Sequence, residues 1–458
     1  MNHSFDAIVV GAGQAGPSLA RRLAAAGRQV AIVERHLFGG TCVNTGCTPT
    51  KAMVASAHAA HLARRAADFG VRSGSVAVDL KAVKARKDAI VAGSRNGVEK
   101  SLRTTENCTV FTGTAAFVSP TRMRVGDDLL EASRIFLNVG ARPAIPRMPG
   151  VDSVSFLTST TILDLEQLPE HLIVIGGGYV GLEFAQMFRR FGSQVTIVER
   201  KPRLAPNEDE DASAVIHDIF DAEGIAVRTH ANCIHMEMRG NRIGVGIDCD
   251  EGEPHIEGSH VLLALGRTPN TGDLNLSAAG LTADERGFIP VDDQLRTGVP
   301  GIFALGDCNG RGAFTHTSYN DYEIVADNLL DNAGRRVSDR IPAHALYIDP
   351  PLARVGMSET EVRATGKPAL IGRRVMTRVS RAIEKGETFG FIKILVDAET
   401  RHILGGTIFG TGGDEAVHCI LTAMYARQPI TLLTHMVAIH PNVAELIPTT
   451  LEDLKPLT

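Results

Sequence analysis

Long apolar runs, blocks of basic charge and a dense cysteine pattern are all missing from this 458-residue chain. Without a run of about 18 apolar residues, no helix is expected to span a bilayer. A formal net charge of −5 and the lack of a sustained Lys/Arg block remove the electrostatic case for a nucleic-acid partner. Seven cysteines over so long a chain do not make a secreted disulfide scaffold. A first strand expected from residue 6 leaves no room for a leader peptide, and no low-complexity tract or short-period repeat points to a solenoid. Tryptophan is absent, so intrinsic emission comes from five tyrosines alone. The expectation is a cytoplasmic soluble protein, too long for one hydrophobic core and divided into about two to four domains.

Glycine supplies the first positive signal. Residues 6–10 read as a short buried strand, after which Gly11-Ala12-Gly13-Gln14-Ala15-Gly16 opens a helical pattern over 18–26. In such a loop the first glycine makes the tight turn, the second lets the backbone approach a pyrophosphate, and the third lets helix pack on strand. The helix N-terminus adds unpaired N–H groups and partial positive charge. A strand over 30–33 then ends in Glu34, an acid placed to accept a ribose hydroxyl. The unit recurs as a strand over 172–175, the loop Gly176-Gly177-Gly178-Tyr179-Val180-Gly181, a helix over 182–191 and a strand over 195–198 ending in Glu199. The first glycine precedes the acid by 23 residues in both copies. One glycine loop is weak evidence, but two βαβ units in the same register argue for two dinucleotide sites.

A thiol pair follows the first unit. Cys42 and Cys47 lie in the run GGTCVNTGCTPTK at 39–51, at a strand-to-helix junction among glycines rather than in a typical core. A thiol at a helix N-terminus has its pKa pulled below ~8.5, and the thiolate is the reactive form. The spacing differs from the C-x-x-C of thioredoxin-like proteins, and a zinc knuckle needs a second ligand pair, so no metal site is expected here. Two nucleotide cradles and one thiol pair suggest a relay from pyridine nucleotide to flavin to disulfide.

On these residues the chain resembles the flavoprotein disulfide reductases, the family of dihydrolipoamide dehydrogenase, glutathione reductase and mercuric reductase. The resemblance runs nearly end to end, through the thiol run, both glycine loops, ALGRTPN at 264–270, GIFALGD at 301–307, DPPLARVG at 349–356 and HPNVAE at 440–445. It implies an α/β fold with two Rossmann-like dinucleotide-binding domains and a C-terminal α+β dimerisation domain. Residues 1–150 would form the FAD-binding domain with the redox disulfide and 151–270 the NAD(P)-binding domain. Residues 271–340 would return to the FAD-binding domain, and 341–458 would form the dimerisation domain.

The resemblance also implies roles. Cys47 would face the flavin in a charge-transfer contact and Cys42 would be the interchange thiol that attacks the acceptor. Lys51, one helical turn beyond Cys47 on the same face, would approach the flavin N5 region and pair with Glu183. Asp307 would hold the ribityl chain of FAD, its plainer role being to cap a following helix. Tyr179 would gate the flavin until the nicotinamide displaces it. Gly40, Thr41, Gly140 and Gly266 complete the expected cofactor contacts. His440 and Glu445 would be the acid–base pair, supplied across a homodimer so that each active site needs both chains. An imidazole near its free pKa of ~6.5 can take a proton from one thiol and hand it to the leaving sulfur, while the carboxylate fixes the tautomer. His435 is read as structural, and Cys108, Cys233, Cys249, Cys308 and Cys419 as inert small hydrophobes.

Two choices stay open. Glu199 favours NADH, because a carboxylate binds a 2′-hydroxyl and repels a 2′-phosphate, whereas Arg200, Lys201 and Arg203 just after it could accommodate that phosphate. The acceptor is expected to be a small-molecule or protein disulfide or thiol. The thiol run looks closest to mercuric reductase-like bacterial proteins, but no metal-binding domain precedes the first cradle and the C-terminus carries no vicinal cysteines. A metal-ion reductase lacking those parts is therefore the alternative, and a non-catalytic flavin-binding redox sensor is the alternative of another class.

Overall fold

Gly11 and Gly176 turn the chain at φ of 102° and 114°, and from these two corners the two halves of the nucleotide-binding body grow. The structure, a computed structural model, describes residues 1–248 and 254–457. In the first half β1 (Asn2–Val10), β2 (Val30–Glu34), β3 (Cys108–Thr112) and β6 (Asp128–Leu137) run parallel. The sheet has seven strands in the order β3-β2-β1-β6-β5-β4, with β4 (Ala115–Ser119) and β5 (Arg122–Val125) antiparallel. The seventh strand, β17 (Ile302–Ala304), returns late in the chain to lie parallel to β6. Because helices α1 (Gly16–Ala25) and α7 (Thr315–Leu330) cover one face, Leu19 and Leu23 share a core with Phe136, Phe303 and Ile324. Strands buried on both faces read as unbroken apolar runs, as residues 7–10 do.

The second half is a parallel sheet in the order β11-β10-β9-β15-β8. Its strands are β8 (Leu157–Thr158), β9 (His171–Ile175), β10 (Gln194–Val198), β11 (Ala226–Arg228) and β15 (His260–Leu263). Helices α5 (Tyr179–Phe191) and α6 (Glu210–Ala222) pack on one face. An antiparallel sheet of β12 (Asn232–Arg239), β13 (Arg242–Asp248) and β14 (His255–Gly258) covers the other through Met236, Val245 and Ile247. A two-stranded ribbon, β7 (Ala141–Pro143) with β16 (Arg267–Pro269), joins the exits of both halves.

The C-terminal part is a six-stranded antiparallel sheet in the order β18-β19-β22-β21-β20-β23. Its strands are β18 (Ala343–Leu346), β19 (Leu352–Gly356), β20 (Ala369–Val375), β21 (Phe391–Asp397), β22 (Ile403–Phe409) and β23 (Lys455–Pro456). Alternation splits its side chains between two cores. Phe391 and Phe409 pack with Phe184 and Phe188 of α5, while Ile392 and Ile408 pack with Val417 and Ile420 of the helix Gly413–Tyr425. A single helical turn, Thr431–Thr434, follows that helix. Beyond it Val437 and Ile439 are 97% and 81% exposed, so no core holds them on a helix, and Pro441 disfavours the helical region for the residue before it. Among the described residues no helix is long and apolar enough to cross a membrane.

Candidate active site

One cavity of about 990 Å³ runs from Glu34 past Gly11 and Gly13 to Cys42, Cys47 and Lys51, and reaches Tyr179 of the second loop. That is the upper end of the usual range for small-molecule sites, ~300–1,000 Å³. At its nucleotide end the third glycines are dictated by packing: a Cβ on Gly16 or Gly181 would lie 2.0 Å from the carbonyl oxygen of Gly11 or Gly176. The two acids are held in matching ways. Glu34 accepts from the Ala12 and His36 N–H groups at 2.9 Å each, and Glu199 accepts from Gly177 at 2.6 Å and Lys201 at 2.7 Å. Each carboxylate is thus aimed from the strand end toward its own loop, with lone pairs left for a ribose. Asn138, which the sequence reading missed, braces the first loop by accepting from the Gly16 N–H at 3.1 Å and donating to Leu305 O at 2.9 Å.

The two thiols sit on different elements. Cys42 lies within α2 (Gly40–Thr45), whereas Cys47 is the first residue of α3 (Cys47–Arg64), the break being made at Gly46. Cys47 is held down to about 6, first by a hydrogen bond from the Cys42 thiol. Burial opposes that, and the Thr315 hydroxyl, 3.2 Å away, and the Lys51 charge support it. Cys42 is driven up by the same hydrogen bond and by burial. The pair therefore shares one proton on Cys42, and the negative charge rests on Cys47. Lys51 Nζ is 2.6 Å from the buried carboxylate of Glu183 and 4.6 Å over the ring of Tyr347, whose N–H donates to Glu183 at 3.0 Å. α3 and α5 are thereby locked together beside the thiols.

Asp307 lies on the turn Gly306–Asn309 and lines the cavity. It does not cap the following helix, where the Phe314 N–H donates to Thr317 at 3.2 Å instead. Burial raises the Asp307 pKa against the pull of Arg267, whose Nε is 3.4 Å away. The same Arg267 donates to Thr41 at 3.3 Å, and Gly40 packs so closely on Gly13 that a Cβ would come within 2.6 Å of its Cα. Gly40, Thr41 and Gly140 all line the cavity; Gly266, Glu199 and the exposed Arg200 lie outside it. Tyr179 opens α5 at the cavity wall, its hydroxyl donating to the buried Glu208, which His344 Nε2 also meets at 2.9 Å. No local pattern in the sequence marks Glu208, His344 or Thr315, because they converge from three separate segments.

His440 and Glu445 do find each other, Nδ1 lying 2.9 Å from Oε2. The His440 side chain is nevertheless 73% exposed, and neither residue lines the cavity, so one chain alone does not bring this pair to the thiols. Met436, Val437 and Ile439 stand exposed beside it, and His435 is exposed as well. Of the remaining cysteines, burial pushes Cys308 up to about 12 and Cys108 upward, as suits unreactive thiols. Cys249 and the side chain of Cys233 lie outside the described residues.

The cavity, with bare glycine backbone at one end and thiols with an ammonium at the other, fits an extended dinucleotide. Residues 5–321 match the family model described as pyridine nucleotide-disulphide oxidoreductase, and residues 342–451 match that of its dimerisation domain. The probable pyridine nucleotide-disulfide oxidoreductase RclA of Escherichia coli K12 is 33% identical, over 97% of this chain and 98% of its own. The structure of its Cu(II) complex, described as an HOCl-induced flavoprotein disulfide reductase, superposes with a TM-score of 0.90 over 98% of this chain and 99% of that one. A mercuric reductase of Streptomyces lividans is 34% identical over 92% of this chain and 90% of its own. A dihydrolipoyl dehydrogenase of Chlamydia muridarum is 31% identical over 97% and 96%.

Proposed function

The chain belongs to the pyridine nucleotide-disulphide oxidoreductases, and on that premise we propose that it passes electrons from NAD(P)H, with NADH preferred, through the Cys42–Cys47 disulfide to a thiol or disulfide acceptor. The observation that carries this reading is the placement of the negative charge on Cys47, at the N-terminus of α3, in one cavity with the first glycine loop and Lys51. Gly11, Gly13, Gly16, Glu34, Gly40, Thr41, Gly140 and Asp307 would hold FAD, which would supply two-electron chemistry between the nicotinamide and the Cys42–Cys47 disulfide. Gly176, Gly178, Gly181 and Glu199 would hold the nicotinamide nucleotide at the second loop. Lys51, tethered by Glu183, stabilises negative charge beside Cys47. His440 of the partner subunit takes the Cys42 proton as Cys42 attacks an acceptor disulfide, and hands it to the first thiol as that thiol leaves. Cys47 then closes on Cys42 and releases the second thiol, so two thiols form as one disulfide is restored.

In this reading residues 1–150 and 271–340 bind FAD, residues 151–270 bind NAD(P)H and residues 341–458 pair two copies. The exposed apolar segment beside His440 and the match to a dimerisation domain support a homodimer. The scattered free thiols suit a reducing, cytoplasmic setting. The likeness to a mercuric reductase makes a metal ion the alternative acceptor.

Anaerobic titration of the purified yellow protein with NADH tests the relay. A long-wavelength thiolate-to-flavin band at two electrons is the expected result. Direct bleaching to reduced flavin without that band would uncouple the thiols from the ring and overturn the reading. Turnover with lipoamide, glutathione disulfide, Hg(II) and Cu(II) then ranks the acceptors.

A further inference from the structure

A second group of ligand-type side chains lies on the outer face of β12, β13 and β14, outside the thiol cavity. Met236, Ile243, Val245 and Ile247 of these strands are buried against the parallel sheet, so by alternation His235 and Glu237 of β12 and His255 of β14 point outward. The register aligns them. His235 is opposite Gly246, which is opposite His255, and in the next outward row Glu237, Gly244 and Glu257 stand in line. Glycine weakens a strand interior and marks places where something must approach closely. Here the bare central strand is filled from the side: a Cβ on Gly246 would lie 2.0 Å from Cε1 of His235. The His235 ring therefore lies across β13 toward His255, with ring centroids 6.1 Å apart and planes at 87°.

One donor atom each from His235, Glu237 and His255 falls within 4.8 Å of the other two. A metal bonded at ~2.0–2.2 Å needs donors roughly 3–3.5 Å apart, a gap that rotation of the half-buried His235 and Glu237 and the exposed His255 can close. Two imidazoles and one carboxylate suit Zn(II) and Cu(II) rather than the all-oxygen preference of Ca(II) and Mg(II). We propose that His235, Glu237 and His255 form a surface site for a divalent transition-metal ion of the Zn(II) or Cu(II) class, with its remaining positions open to water.

Arg239 supplies the positive charge of the metal-free arrangement. Its guanidinium is 2.6 Å from Glu237, 3.5 Å from Glu257 and 3.4 Å from Nδ1 of His255. A bound dication takes over Glu237 and leaves the guanidinium with Glu257. Arg239 thus competes with the metal, and its removal should tighten binding. The ligands sit two apart on one strand and then beyond the next hairpin, a spacing that matches no familiar metal motif.

The test uses the oxidised holoenzyme, in which Cys42 and Cys47 are closed as a disulfide and do not compete for metal. Calorimetric titration with zinc chloride should show one ion per chain, and Cu(II) electron paramagnetic resonance should show coupling to two imidazole nitrogens. His255→Ala should weaken binding by more than about tenfold, since even outer-shell losses cost 10–100-fold, with NADH-dependent turnover unchanged. Arg239→Gln should bind more tightly than the parent. Absence of stoichiometric binding, or a His235→Ala/His255→Ala double variant that binds as the parent does, would overturn the proposal.

Discussion

At Cys47 a single proton decides the chemistry. The thiol is held down to about 6, well below its ordinary value of ~8.5, so the thiolate persists above that pH and is lost as pH falls through it. The long-wavelength band of the two-electron-reduced enzyme should therefore fade with a midpoint near pH 6. Lys51→Met removes one of the charges that favour the thiolate and should move that midpoint upward, whereas an unmoved midpoint would mean that Lys51 acts only through packing. At the second loop, Glu199→Ala should raise the ratio of kcat/KM for NADPH over NADH by about tenfold, ~1.4 kcal/mol of discrimination. An unchanged ratio would dismiss the carboxylate as the selector. Cys47, Lys51 and Glu199 were legible from their neighbours in the chain. Thr315, which touches Cys47, was not, because nothing within several residues of it announces the contact.

At the scale of elements, α5 is the helix on which the parts converge. Its first residue is the Tyr179 gate candidate, its second turn carries Glu183, and its last turn carries the buried Arg190. Arg190 lies 2.7 Å from Glu223 and 2.6 Å from Asp349, joining α5 to the end of α6 and to the C-terminal sheet. Burial pushes Asp349 up, but hydrogen bonds from His58 and Arg190 outweigh it and hold the carboxyl well below the usual range. Removing one member of a buried network leaves charge without compensation, so Arg190→Met should cost roughly 3–5 kcal/mol. Urea denaturation checks this as a lower midpoint at constant slope, and a loss under about 1 kcal/mol would show the network to be replaceable. The helix itself was readable from its glycine loop and apolar spacing. The Lys51–Glu183 pair was expected from the resemblance, but the partners of Arg190 were not, because Glu223 and Asp349 lie in other segments of the chain.

At the scale of the whole molecule, the acid–base pair is the part that one chain leaves unfinished. His440 and Glu445 are oriented to each other but stand outside the cavity, beside the most exposed apolar residues of the C-terminal part. If a second copy brings them to the thiols, a mixture of Cys47→Ser and His440→Ala chains should recover activity that neither has alone. Random pairing makes half the dimers mixed, each with one intact site, so recovery should approach about one quarter of the parent activity. No recovery after verified subunit exchange would place His440 outside the reaction or in its own chain's site.

Turn chemistry and periodicity act over a few residues, and what depends on them is determined by the sequence alone. That covers the two glycine loops, the acid at the same distance from each, the thiol pair ahead of a helix, and Lys51 one turn on. The order in which strands enter a sheet and the register in which they pair are not written in any short window, because they follow from which apolar faces bury each other. The late return of β17 to β6, the meeting of Tyr179 with Glu208 and His344, and the row of His235, Gly246 and His255 are of this second kind. Only the packed structure decides them, since each joins side chains whose separation along the chain is far larger than any local interaction spans.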